Sequence, residues 1–216
     1  MIEINAGYIY NTFLKDYIHP NDIDLPDEDK QWLFANNYYD YYYEFGRTFK
    51  PSMFLEIGVR YGYSALCMVK GVIDSGNQID MMIGIDSEID GPCNEYSKSK
   101  LDMFIKDVKI ISKQTEHITE EEIKSHSHEK LFDIIHMDAS HSYKTLREFE
   151  LSLNLLNPGG ILIIDDVGSF NTNTDWLHAK KSYLDGFLWY NIYHLNKISW
   201  FHYYNSYRGT YVIKKK

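Results

Sequence analysis

HMDASHSYKTLREFELSLNLLNPGGILIIDDV, residues 136–167, holds two strand ends with a helix between them. The run FDIIHM leads to Asp138, and GGILII leads to Asp165 and Asp166. Between them Tyr143, Leu146, Phe149, Leu153 and Leu156 recur at spacings of three or four, which predicts an amphipathic helix. Pro158, Gly159 and Gly160 read as its stop. A strand, a helix and a second apolar strand predict a parallel βαβ unit. Three carboxylates and His141 then fall where buried strands emerge. Like charges brought together repel, so nearby carboxylates do not all ionise cheaply without a counter-charge. Either the acids diverge into solvent, or something cationic sits between them.

Working outward, the same alternation continues toward the N-terminus. SMFLEIGV (52–59), MMIGID (81–86), DVKIIS (107–112) and LFDIIHMD (131–138) read as strands. SALCMVKGVI (64–73), NEYSKSKLDMFI (94–105) and TEEEIKSHSHEK (119–130) read as the helices between them. This predicts an α/β fold with a doubly wound, mostly parallel sheet. The final KISWFHYYNSYRGTYVIKKK (197–216) reads as an antiparallel hairpin. The first 50 residues are helical and aromatic in pattern. After a turn at Pro26, Trp32, Leu33, Tyr38, Tyr42 and Phe45 fall at roughly helical spacing. They predict a helix packed over a sheet edge, with an aromatic wall for a substrate as the sharper alternative. No repeat, linker or second domain is visible. The expectation is one domain over 1–216, with 1–50 as a helical extension and 51–216 as the core.

Composition narrows the function. The formal net charge is -9, and the one basic cluster is the terminal KKK, so nucleic-acid binding is not expected. Apolar residues make up 44% and charged residues 25%, as in globular proteins. No apolar run approaches the roughly 18 residues of a membrane span. Cys67 and Cys93 stand in unrelated settings and suggest neither disulfide nor zinc. The N-terminus lacks the pattern of a signal peptide, so the expectation is a cytoplasmic protein with no membrane partner. A second copy of the chain stays open as a partner. The 19 tyrosines read as compositional bias rather than function.

The first strand runs into FLEIGVRYGYSA, with Gly58 and Gly62 directly after it. Glycines there let the backbone turn tightly and approach a ligand. The spacing is G-x-x-x-G, and no Lys-Ser pair follows, which argues against a P-loop and weakens a dinucleotide fingerprint. Glu56 lies at the first strand end and Asp86 at the second, where a carboxylate can take both ribose hydroxyls. Open α/β sheets bind ligands outside the carboxyl ends of their strands. Glu56, Asp86, Asp138, Asp165 and Asp166 all fall on that rim, which suggests a built site.

Taken together, E-x-G-x-x-x-G-x-S, an acid after the second strand, D-x-x-H-x-Y and L-N-P-G-G-x-x-x-x-D-D resemble class I S-adenosylmethionine-dependent methyltransferases. The nearest branch is the metal-dependent small-molecule and sugar O-methyltransferases of macrocin type, with catechol O-methyltransferase more distant. The resemblance covers 51–166, with weaker support from the hairpin, and implies a seven-stranded Rossmann-like methyltransferase sheet. By position it assigns Glu56, Gly58, Gly62, Tyr63 and Ser64 to the methionine side of the cofactor and Asp86 to its ribose. Gln114 or Thr115 would lie near adenine. Asp138, Asp165 and Asp166 would bind a divalent metal, with Mg²⁺ first for an oxygen-rich site. His141 would be the base. Many relatives read Asp-Gly-Asp-His where this chain has Asp138-Ala139-Ser140-His141, so one variant of the base is absent and the burden falls on His141.

The implied reaction is methyl transfer to a hydroxyl of a small molecule or sugar. The metal lowers the hydroxyl pKa, His141 takes the proton, and positioning does most of the rest. Trp176 lies in the following stretch, where it would face an acceptor ring or simply pack. One rival is an NAD-dependent oxidoreductase, which predicts G-x-G-x-x-G and an acid about 20 residues on. Asp86 lies 24 residues past Gly62, and that glycine pattern is missing. The other rival is a non-catalytic S-adenosylmethionine-binding protein, against which the intact Asp138, His141, Asp165 and Asp166 argue.

Overall fold

Short apolar runs separated by helical periods form a seven-stranded sheet. A computed structural model describes residues 7–24, 37–87, 93–168, 175–204 and 208–216, with backbone alone for 175–179. The strands are β1 (Met53–Ile57), β2 (Met81–Asp86), β3 (Asp107–Ser112), β4 (Phe132–Met137), β5 (Leu156–Ile164), β6 (Ile198–Tyr204) and β7 (Thr210–Lys215). Their order is β3-β2-β1-β4-β5-β7-β6. β1 to β5 run parallel, while β7 is antiparallel to both β5 and β6. The expected α/β sheet and terminal hairpin are therefore present. The strand order reverses between β1 and β4, and the sheet opens a crevice there.

Side chains alternate across the sheet and build two cores. Phe54, Met82, Ile134 and Ile163 point to one face, where α3 (Tyr38–Phe49) and α4 (Tyr63–Asp74) supply Tyr42, Phe45, Leu66 and Met68. Leu55, Ile83, Ile135 and Leu162 point to the other. There α6 (Glu120–His126), α7 (Lys144–Leu155) and α8 (Asp175–Tyr193) supply Ile123, Phe149 and Leu184. Each such buried side chain contributes about 1.5–3 kcal/mol over its exposed state. Burial on both faces is why these strands read as continuous apolar runs.

Three details differ from the pattern in the sequence. The helix holding Tyr42 and Phe45 covers a sheet face, not an edge, and Pro26, Trp32 and Leu33 lie outside the described residues. Upstream of it come α1 (Tyr8–Thr12), a 3-10 turn (Leu14–Tyr17) and α2 (Pro20–Ile23). The helix α5 (Asn94–Leu101) ends before Met103 and Phe104. Pro158, Gly159 and Gly160 do not separate helix from strand: β5 already begins at Leu156. Its pairing to β4 skips from Leu156 to Ile161, so the Pro-Gly-Gly segment bulges out of the ladder. No described helix is long and apolar enough to cross a membrane.

The packing of α3 on α4 depends on two glycines. A Cβ on Gly46 would lie 2.0 Å from the Met68 carbonyl oxygen, and one on Gly71 would lie 1.9 Å from that of Tyr43. The two backbones therefore meet directly, and α3 is held at one depth over the sheet. Gly71→Ala is expected to destabilise the protein by about 1–3 kcal/mol or more, because backbone, not a flexible side chain, must move. Urea unfolding of the variant checks this; an unchanged midpoint would show that the helices can separate freely.

Candidate active site

The end of β1 is built around glycine. Gly58 sits at φ 92° and donates its N–H to the Ile85 carbonyl at 2.8 Å. A Cβ there would stand 2.4 Å from the Asp138 carbonyl oxygen, so this crossing of β1 and β4 excludes any side chain. Gly62, at φ 76°, caps α4. The first bond inside that helix is Leu66 N–H to Gly62 C=O at 2.8 Å. The N–H groups of Tyr63 to Ala65 precede it and give the turn the partial positive charge of a helix start.

A cavity of about 520 Å³ opens over these strand ends. Gly58, Gly62, Tyr63, Ser64, Asp86, Gln114 and Thr115 all line it, so the expected cofactor residues converge with one exception. Glu56 does not reach the cavity and is wholly buried. It acts from behind: Ser64 Oγ donates to Glu56 Oε1 at 2.6 Å, and His136 Nδ1 lies 2.7 Å from the same oxygen. Glu56 and His136 are register partners on β1 and β4, which puts them side by side. Tyr42 of α3 extends the chain, its hydroxyl 3.0 Å from His136 Nε2. Glu56 Oε2 is buried with no hydrogen-bond partner among the described residues. Asp86 stands at the cavity wall, where its Oδ2 accepts the Arg60 backbone N–H at 2.7 Å.

The acid cluster divides. Asp138, His141 and Asp166 line the cavity, and their ligand atoms lie within 4.8 Å of one another. His141 Nε2 is 2.8 Å from Asp166 Oδ2. Asp165 turns away into the protein, where it accepts hydrogen bonds from Tyr38 and, at 3.0 Å, from Thr210 Oγ1. Asp165 forms a second close group with His136 and Asp138. The two adjacent acids therefore meet different partners, and Asp166 takes a left-handed φ of 60°.

Electrostatics follow this division. Loss of bulk water, then the charges of Asp166 and Asp165, hold the Asp138 carboxyl well above the usual carboxylate range. Burial and the charge of Asp166 raise Asp165 in the same sense. Burial also works against Asp166, yet the hydrogen bond with His141 and the charges of Arg208 and Lys180 prevail and keep it below that range. Arg208 Nη1 lies 3.6 Å from Asp166 Oδ2. Lys180 of α8 is wholly buried, its ammonium without a hydrogen-bond partner among the described residues.

Several of these residues carried no signal in the sequence. Arg208 is a lone cation in a hairpin turn, and Lys180 is half of a Lys-Lys pair on a helix. Tyr38 had a place in the aromatic pattern, and the structure gives it a definite task, donating to Asp165 and lining the cavity with Tyr39. Ser140, in place of the acid expected in that loop, bonds to the buried Glu148 of α7 through its hydroxyl at 2.5 Å. The Trp176 side chain and residues 169–174 lie outside the described residues.

Residues 55–167 match a family model described as a methyltransferase domain. No curated protein matches the chain. Among solved structures the chain is similar to the S-adenosylhomocysteine-bound methyltransferase PaMTH1 of Podospora anserina. Identity is 20% over 95% of this chain and 93% of that one, with a TM-score of 0.63. It is also similar to an O-methyltransferase from Bacillus cereus in complex with S-adenosylhomocysteine, at 15% identity over 98% and 96%, TM-score 0.61. A third is TomG of Streptomyces achromogenes, an O-methyltransferase involved in tomaymycin synthesis and bound to S-adenosylmethionine, at 12% over 99% and 92%, TM-score 0.57. At these identities the likeness is one of fold.

The raised Asp138 carboxyl has a consequence for stability. Its folded pKa exceeds its unfolded one, so in the protein without added cation it subtracts stability as pH rises above the ordinary carboxylate range. Asp138→Asn removes that charge at nearly constant shape. It is expected to raise the thermal midpoint measured in EDTA, more at pH 7 than at pH 5. A midpoint lowered equally at both pH values would mean that Asp138 is not opposed by its neighbours.

Proposed function

The chain belongs to the methyltransferase domain family, and on that footing we propose that it carries the methyl group of S-adenosylmethionine to a hydroxyl of a small molecule or sugar, assisted by a divalent cation, Mg²⁺ first. One observation carries this reading: the His141–Asp166 pair stands in the same cavity as the glycine loop and Asp86. The O-methyltransferases among its structural neighbours support oxygen as the acceptor atom.

The cavity wall suits each part of the donor. The backbone N–H groups of the first turn of α4 favour a carboxylate, as a helix start does. Glu56, behind Ser64, adds negative charge that suits the ammonium of the same amino-acid group. Asp86 suits the ribose hydroxyls. Gln114 and Thr115 border the adenine side. S-adenosylmethionine supplies an electrophilic methyl on a sulfonium, and transfer leaves S-adenosylhomocysteine.

Asp138 and Asp166 fit a hard cation, with His141 beside them as the base. Their donor atoms are close together, and Asp166 Oδ1 is buried with no hydrogen-bond partner among the described residues. A cation held there would polarise the acceptor hydroxyl and lower its pKa. Asp165, engaged by Tyr38 and Thr210, supports this group from behind. Asp166 fixes the His141 ring through Nε2, and the acceptor proton passes to the other imidazole nitrogen. The acceptor oxygen then forms its bond to the methyl carbon as the carbon–sulfur bond breaks, and alignment contributes most of the acceleration.

S-adenosylhomocysteine is expected to bind in the micromolar range, about -8 kcal/mol. Asp86→Ala is expected to weaken it by about 1.5–3 kcal/mol through lost hydrogen bonds to ribose. Calorimetry showing no binding to the wild type, or equal binding to the variant, rejects the cofactor assignment. An acceptor-library screen with labelled S-adenosylmethionine, run with Mg²⁺ and with EDTA, tests the rest. His141→Ala is expected to lower turnover by roughly 10²–10⁴ while leaving metal and cofactor affinity nearly intact. Full turnover in excess EDTA removes the cation from the reaction. Loss of metal binding in His141→Ala makes the histidine a ligand rather than the base.

A further inference from the structure

Beneath the cavity one buried carboxylate joins two of its walls. Glu148, on α7, is 1% exposed. Its Oε1 accepts from Thr115 Oγ1 at 2.6 Å and from Ser140 Oγ at 2.5 Å, and its Oε2 accepts the Ser140 backbone N–H at 3.2 Å. Thr115 follows β3 on one wall, and Ser140 follows β4 on the other, directly before His141. The same turn of α7 adds further ties. Thr145 Oγ1 donates to the Ser140 carbonyl at 2.6 Å. Arg147 donates to the Thr115 carbonyl and, at 2.6 Å, to that of Ile118. Two loops that meet nowhere in sequence are thus pinned to one helix turn.

We propose that Glu148 is a positioning residue that couples the Gln114–Thr115 wall to the Ser140–His141 wall, so that a ligand ordering the first also fixes the second. This rests on the reading of Thr115 as cofactor-side and His141 as base. The physical ground is local. Three donors meet on the two oxygens of a buried carboxylate, and leaving that carboxylate unsatisfied is unfavourable. Displacing Thr115 therefore moves Glu148, and Glu148 moves the loop that presents His141. Ser140, the residue that departs from the expected acid, serves here as the link to His141.

Two measurements test the coupling, and the first needs no ligand. Hydrogen exchange in the cofactor-free protein is compared between wild type and Thr115→Val. Faster exchange is expected at Ser140 and His141, across the cavity from the substitution, with the far side of the sheet unchanged. Exchange altered only around Thr115, or uniformly everywhere, overturns the proposal. The second is a double-mutant cycle on S-adenosylhomocysteine affinity by calorimetry. Ser140→Ala is expected to weaken binding about fivefold in the wild-type background and to have no further effect with Glu148→Leu. A direct contact between Ser140 and the ligand would instead persist with Glu148→Leu, and that outcome also overturns the proposal. Glu148→Gln is expected to behave within about threefold of wild type. Its amide can satisfy all three groups once the two hydroxyls turn to accept. Should wild type bind no S-adenosylhomocysteine, the cofactor reading fails, and the exchange comparison still decides the coupling.

Discussion

Three carboxylates at the ends of two neighbouring strands repel one another, and the surrounding structure is arranged to oppose that repulsion. β4 and β5 run parallel and adjacent, so Asp138, Asp165 and Asp166 are bound to emerge close together. The groups that oppose them come from separate parts of the chain: Tyr38 from the aromatic helix, Lys180 from α8, Arg208 and Thr210 from the hairpin, and His141 from the loop after β4. The N-terminal extension and the C-terminal hairpin are therefore parts of the site as well as of the core. Removing the Asp138 carboxylate, which its neighbours oppose, and removing one of the cations should act in opposite senses on stability.

A second polar chain runs inside the sheet. Ser64, Glu56, His136 and Tyr42 are joined by hydrogen bonds from the cavity wall to α3. The register of β1 on β4 places Glu56 beside His136, and the glycine packing of α3 on α4 sets how far Tyr42 reaches. Small shifts in that packing would therefore be felt at Ser64, at the cavity itself. Backbone contact, not side-chain shape, controls the depth of the aromatic helix, and such contacts do not relax gradually.

Much of this was legible in the sequence because it follows from local periodicity. Apolar runs of strand length alternating with helical spacing predicted the parallel sheet, and β2 and β3 fall on the expected residues. The glycine spacing located the loop after β1, since only glycine suits a backbone at φ 92° pressed against another strand. The acids stood out because an acidic residue at the end of an apolar run is conspicuous. The aromatic helix was legible as a helix, but not the sheet face it covers, because periodicity gives a buried stripe without saying what buries it.

What the sequence determined alone was the order of strands along the chain, the two glycines, and the set of acids on one rim. Each is fixed by a residue and its immediate neighbours. Tertiary structure alone decided which acids face the cavity. Asp165 and Asp166 are adjacent in sequence and chemically identical, yet one turns inward to Tyr38 and Thr210 and the other outward to His141. That division depends on partners 127 and 45 residues from Asp165 and 25 residues from Asp166. It likewise decided that Lys180 and Arg208 serve as counter-charges and that Glu148 ties two loops. Pairing a charge requires proximity in space, and long-range chain crossings set that proximity.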